Sequence, residues 1–270
     1  MLLVTLGDIL LDVIVRLDEP LTNGADARAT TLTGTGGQAA NVAAWAAELG
    51  ADARCVAKRG EDAAGRLVAD DLRRRGVELR GPAQGRGGVV VSLVDTDGER
   101  TMASDRGVAP ELTASDLEPA WFACDGLHIS GYALLAAPID AAALRAADLA
   151  HAAGARVSVD LSAWTHIRKH GPLPFRDKLE AVSPELIFAN EPEWEIVGAA
   201  YGLAPTAVVK RGARGVLVLG EERLELPPHD ADVVDATGAG DALAAGFLVG
   251  GPDLALEAAA RCVAKLGAMP

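Results

Sequence analysis

From Gly126 onward the chain alternates short apolar runs with helix-like stretches, and no other feature restrains its fold as much. Gly126 to Ser130 reads as a strand before a helix over 137–153. Val157 to Leu161 reads as a strand before an irregular stretch, and Leu186 to Ala189 as a strand before another helix. Strands separated by helices build a parallel sheet covered by helices. The chain opens in the same way, with a buried strand over residues 2–6 ending at Gly7-Asp8 and a short strand at 53–57. A helix then ends at Gly76, where Arg73, Arg74 and Arg75 suit its negative pole. Two stretches break the alternation. Val13-Ile14-Val15 with Ala29 to Thr33 reads as a hairpin turning near Asn23-Gly24. Val89 to Val94 with Arg100 to Ala103 reads as a second, turning at Asp95-Thr96-Asp97-Gly98. Together they are expected to form a small β-sheet, a lid over the carboxyl edge of the main sheet, from segments near 13–35 and 88–105 of one 270-residue domain.

Composition narrows the function. A net charge of −13 disfavours nucleic acid, whose phosphates need basic surface. No apolar run of about 20 residues lacks charge, so no membrane span is expected. Asp8 and Asp12 interrupt the apolar N-terminus, which reads as a strand rather than a signal peptide. Cys55, Cys124 and Cys262 are scattered and odd in number, which suits reduced thiols and a cytoplasmic protein. The five histidines share no spacing and are assigned no chemistry.

Chemistry concentrates in Asp235-Ala236-Thr237-Gly238-Ala239-Gly240-Asp241, which leads into an apolar helix. The small residues let a ligand approach the backbone, and free amides at a helix start attract an anion, most often phosphate. Asp241 beside such a hole makes sense as the base for a nucleophile attacking a bound phosphoryl group. An ordinary loop-to-helix turn explains the same residues. Asp12 lies just past a strand's carboxyl end, where open α/β sheets gather ligands. Gly34, Gly36 and Ala39 fit a dinucleotide pattern, but no βαβ unit with a well-placed acidic residue accompanies them. Gly36 and Gly37 could instead let a polyhydroxylated substrate lie on the backbone while Asn41 bonds to it. Asn190 followed by Glu193 reads as a capping box, and equally as an amide and carboxylate able to hold the water shell of Mg²⁺. Lys210 and Arg211 could meet a nucleotide's phosphates, with Gly212 and Gly215 permitting close approach; a plain hairpin also accounts for the glycines.

In this order the motifs Gly36-Gly37-x-x-x-Asn41, Asn190-x-x-Glu193, Gly212-x-x-Gly215 and Asp235-x-Thr237-Gly238-Ala239-Gly240-Asp241 resemble those of the ribokinase-like (PfkB) carbohydrate kinases, over nearly the whole chain. The resemblance implies a three-layer α/β/α kinase domain with a β lid, using ATP and Mg²⁺. It implies Asp241 as general base, with the amides of Gly238, Ala239 and Gly240 receiving the migrating γ-phosphoryl group. It implies Asp12, Gly36, Gly37 and Asn41 around the acceptor and Asn190 and Glu193 near magnesium. Asp235 and Thr237 match positions that line a monovalent-cation (K⁺) site in some members, and Gly267 lies in a terminal signature near that loop. A homodimer through the lid follows from resemblance alone.

Three departures stand out. Ala236 replaces a usual Thr, the chain stops soon after Gly267-Ala268, and Ser130-Gly131 stands where some members carry an acidic acceptor ligand. The expected activity is phosphorylation of a hydroxyl on a small sugar or sugar-like acceptor. A nucleoside acceptor and a non-catalytic ligand-binding module are the alternatives. A phosphosugar is disfavoured because only Arg100 and Arg106 could take its phosphate.

Overall fold

The computed structural model describes residues 1–97, 100–199 and 202–270. Its nine-stranded main sheet has the order β13-β12-β11-β10-β9-β8-β1-β4-β5. The strands are β1 (Leu2–Leu6), β4 (Asp52–Val56), β5 (Val77–Arg80), β8 (Gly126–Ser130), β9 (Arg156–Asp160), β10 (Leu186–Asn190), β11 (Thr206–Lys210), β12 (Val216–Leu219) and β13 (Arg223–Leu226). From β5 to β11 neighbours run parallel, and β12 and β13 close the edge antiparallel. Helices α1 (Gln38–Glu48), α2 (Ala63–Arg74), α7 (Ala239–Gly250) and α8 (Pro252–Val263) share one apolar core with the sheet. Helices α3 (Ile139–Ala152), α4 (Trp164–His170), α5 (Pro172–Val182) and α6 (Glu191–Ile196) share the other. The expected α/β/α layering is therefore present.

The strand order reverses between β1 and β8: β4 and β5 extend one way, β9 to β13 the other. The carboxyl ends flanking such a reversal form a crevice. Asp8 and Ser130 stand at or just beyond those ends, and Asp160, Asn190 and Lys210 close the next strands β9, β10 and β11 along the same edge.

The two irregular stretches form a second sheet from β2 (Leu10–Leu17), β3 (Ala29–Gly36), β6 (Gly88–Val94) and β7 (Arg100–Asp105), in the order β3-β2-β6-β7. Each hairpin is antiparallel, but the hairpins join through parallel pairing of β2 with β6. Of the expected second turn, Gly98 lies outside the described residues. No described helix is long and apolar enough to cross a membrane.

Element ends differ from the sequence reading at points that matter. Helix α1 starts at Gln38, not Val42, because Gly37 at φ 93° ends β3's extended run and serves as N-cap. Strand β9 ends at Asp160, which the apolar run Val157 to Leu161 had absorbed.

Candidate active site

The anion-hole candidate is built as the sequence suggests. Gly238 at φ 78° is the N-cap of α7, and its carbonyl takes the amides of Asp241 and Ala242 at 3.0 and 2.9 Å. A Cβ on Gly238 would stand 2.4 Å from the Cβ of Ala268, so the turn has no room for a side chain. Among the described residues the amides of Gly238 and Gly240 have no acceptor, and that of Ala239 has only a 3.4 Å contact to Ala236. These donors at the positive pole of α7 face outward from its first turn.

Asp241 lies in the first turn of that helix, partly open but densely surrounded by protein. Desolvation is the main cause that pushes its pKa up to about 7, aided by Asp160 and opposed by Asn41, Lys210 and Gln38. Asn41 Nδ2 donates to Asp241 Oδ2 at 2.7 Å, while Asn41 Oδ1 is buried with no donor. An orphaned acceptor beside a carboxylate poised at neutrality suits two hydroxyls of one polyhydroxylated ligand, one donating to the amide oxygen and the other giving its proton to the carboxylate.

Three residues that sequence reasoning passed over hold this cluster. Asp160, fully buried, accepts from Lys210 Nζ at 2.6 Å through Oδ2 and leaves Oδ1 unpartnered. Burial opposes the charged form of Lys210, but Asp160, Glu193 and Asp241 more than offset it, so its pKa is raised and the ammonium persists. Gln38 favours the charged form of Asp241 and accepts the hydroxyl of Ser162, whose backbone is left-handed at φ 64°. A carboxylate closing an apolar strand was the available signal for Asp160; Gln38 and Ser162 carried none.

Asp12 sits on β2, and a Cβ on Gly36 would stand about 2.2 Å from its carboxylate. Gly36 therefore provides a seat for Asp12. Desolvation pushes the Asp12 pKa up to about 6 against the pull of Arg100. Asp8, which the sequence left open, is buried in a bidentate pair with Arg106, at 2.6 and 2.8 Å.

The Asn190–Glu193 capping box is complete. Glu193 Oε2 accepts the Asn190 amide at 2.8 Å, and Asn190 Oδ1 accepts that of Glu193 at 2.8 Å. Burial raises the pKa of Glu193, with Lys210 opposing. No described group of three His, Cys, Asp or Glu side chains could grip a metal directly. The orphaned Asp160 Oδ1, with Glu193 and Asn190 at adjacent strand ends, fits acceptors for the waters of a hydrated Mg²⁺.

Lys210, Gly212 and Gly215 line a cavity of about 510 Å³ together with Ala239 and Gly240. Its far wall is apolar, from Leu243, Leu256 and Val263 among others. Arg211 instead turns to Glu225 on β13, at 3.2 Å. A Cβ at Gly215 would stand 2.0 Å from the Leu226 carbonyl, so this glycine also serves the hairpin.

Asp235 staples the loop. Its Oδ1 accepts the amide and hydroxyl of Thr237, its Oδ2 accepts the Gly267 amide at 2.9 Å, and Arg100 reaches Oδ1 at 3.3 Å. Burial alone would raise its pKa; these contacts hold it below the usual value.

A cleft at the reversal of an α/β sheet, a second sheet beside it, a helix start with free amides and a carboxylate with a raised pKa thus lie together. A family model described as the pfkB family carbohydrate kinase matches residues 1–269. An ATP-dependent ribose-1-phosphate kinase of Halopiger xanaduensis is 34% identical over 268 residues, spanning 95% of this chain and 88% of that one. The adenosine kinase of Sinorhizobium meliloti superposes with a TM-score of 0.88 at 26% identity, over 99% of this chain and 95% of that one. An E. coli protein described as a ribokinase II, solved with ATP and Mg²⁺, gives a TM-score of 0.82 at 21% identity over 99% and 94% of the two chains; it bears on the fold alone. The chain belongs to the pfkB family of carbohydrate kinases and is an ATP-dependent phosphotransferase.

Proposed function

We propose that this enzyme transfers the γ-phosphoryl group of ATP to a hydroxyl of a small neutral sugar or riboside. The observation that carries the reading is the pair formed by Asp241, with its pKa near 7, and the unpartnered Asn41 Oδ1 beside it. The reacting hydroxyl donates to Asp241, which takes its proton as the oxygen attacks phosphorus, and a second hydroxyl of the acceptor donates to Asn41 Oδ1. The amides of Gly238, Ala239 and Gly240 receive the charge of the transferring group, which needs positioning and neutralisation rather than covalent help. Lys210 adds a fixed positive charge, and the 510 Å³ cavity takes the nucleotide past Gly212 and Gly215. Asn190, Glu193 and Asp160 would hold a hydrated Mg²⁺ through its waters, and the ion would add charge neutralisation for the phosphates. Asp12 receives hydroxyls of the acceptor, and the second sheet acts as the lid that keeps water out.

A phosphosugar acceptor is the second reading, favoured by the similarity to a ribose-1-phosphate kinase. The arginines of the second hairpin speak against it, since Arg106 is spent on Asp8 and Arg100 on Asp235. A coupled ATP-consumption screen over sugars, sugar acids, phosphosugars and nucleosides tests both. Turnover with neutral sugars or ribosides is expected. Turnover confined to phosphosugars selects the second reading, and none with any acceptor removes both.

A further inference from the structure

One face of helix α1 reaches both halves of the site: we propose that Trp45 is a positioning residue for phosphoryl transfer, holding the Gly238 turn in place through the carbonyl of Ala268. That task rests on the reading of the site as one of phosphoryl transfer, but the first measurement that tests it needs no turnover.

Gln38, Asn41 and Trp45 follow one another at three and four residues, so their side chains share one face of α1. The first two act on Asp241. Gln38 favours its charged form, and Asn41 Nδ2 donates to its Oδ2 at 2.7 Å. Trp45, one turn further on, is fully buried, and its Nε1 donates to the Ala268 carbonyl at 2.8 Å. A buried indole N–H must find an acceptor, and this one finds it 223 residues along the chain. The Arg261 guanidinium and the Lys265 ammonium stand over the ring, 5.6 and 5.2 Å from its centroid. The segment that Trp45 bonds therefore also grips the indole.

Ala268 is the floor of the turn. A Cβ on Gly238 would meet the Ala268 Cβ at 2.4 Å and its Cα at 2.6 Å. Next to it, the Gly267 amide donates to Asp235 Oδ2 at 2.9 Å, and Asp235 Oδ1 takes the Thr237 amide at 2.8 Å. The tail thus meets the turn on both sides of Thr237. Among the described residues the one other donor to the Ala268 carbonyl is the Cys262 thiol, at 3.8 Å. Trp45 Nε1 makes the short bond that sets where Gly267 and Ala268 lie, and with them the free amides of the turn. A single helix face therefore registers the base and those amides against each other. Phosphoryl transfer needs that register, because a misplacement of about 1 Å can cost about a hundredfold in rate. Trp45 touches no reacting atom and acts through Ala268.

Trp45→Phe keeps an aromatic ring and removes the donor. Amide exchange in the full-length protein reads the turn directly, since the amides of Thr237, Asp241 and Ala242 are hydrogen-bonded. In the variant these should exchange about tenfold faster, while β8 and β9 keep wild-type rates. With an acceptor in hand, kcat should fall about tenfold, and the KM values for ATP and acceptor should stay within about twofold of wild type. Ala268→Gly withdraws the methyl packed on Gly238, leaves the indole in place and should do the same. It carries the test alone if Trp45→Phe does not fold. The double variant should be no slower than the slower single one, because both act through one contact. Exchange that quickens evenly through the core with kcat unchanged overturns the proposal. So does an Ala268→Gly protein whose turn and kcat match wild type, or a double variant in which the two losses multiply. If no acceptor supports turnover, the phosphoryl-transfer reading falls, and the exchange rates still decide whether Trp45 holds the turn.

Discussion

Asn41 and Asp241 stand 200 residues apart in the chain and 2.7 Å apart in space, with the amide donating to the acid. The bond favours the charged carboxylate and opposes the desolvation that lifts its pKa. Removing it in Asn41→Ala should therefore raise the pKa further above about 7. The acid limb of the pH–rate profile should move upward by about one unit. Turnover lost at pH 7 should return in part at higher pH. A limb that stays in place would show that Asn41 does not tune Asp241.

Asp241→Asn should lower turnover by about 10²–10⁴-fold, the usual weight of a positioned base, with nucleotide affinity little changed. It should also alter stability. A carboxyl whose native pKa is raised from 3.8 to about 7 stabilises fully below the unfolded value, and that contribution fades as pH rises through 7. The Asn variant escapes this loss. It should be more stable than wild type at pH 8 by on the order of 2 kcal/mol and show little gain at pH 4. Melting curves at the two pH values check the sign.

Asp12 titrates in a lower window. Its pKa of about 6 predicts that the KM for acceptor rises as pH falls through 6, when the carboxylate gains a proton and loses acceptor capacity. Asp12→Asn should raise that KM at pH 7.5 by about tenfold or more, flatten its pH dependence and leave the KM for ATP alone. Equal changes in both constants would place Asp12 elsewhere in the cycle.

The Arg106–Asp8 pair is a structural joint between the second sheet and the end of β1. Asp8 is almost fully buried, so Arg106→Ala strands a charge and should cost about 3–5 kcal/mol in urea unfolding. Arg106→Ala combined with Asp8→Asn should recover part of that loss, because the stranded charge is gone. A double variant as weak as the single would trace the effect to lost packing.

Much of this was legible because local chemistry and tertiary need agree. The Gly238 turn needs a residue at positive φ, and the capping box joins residues three apart. What escaped depends on distance along the chain. Nothing near Asp160 announces Lys210, 50 residues on, and nothing in the second hairpin announces that Arg100 reaches Asp235. The parallel pairing of β2 with β6 joins segments separated by β3, two strands of the main sheet and two helices, so hairpin patterning cannot reveal it.

Helix α7 packs against α1 and α8 and brings Asp241 with it. A ribosome making this chain from its N-terminus delivers that helix after every strand of the main sheet. Until then the part of α1 that meets α7 has no cover, and a nascent chain of some two hundred residues carries exposed apolar surface of the kind that chaperones bind. The same timing is protective. A polypeptide released just before Gly238 has every strand of the main sheet yet lacks Asp241 and the turn before it, so under the mechanism proposed above truncated products do not spend ATP.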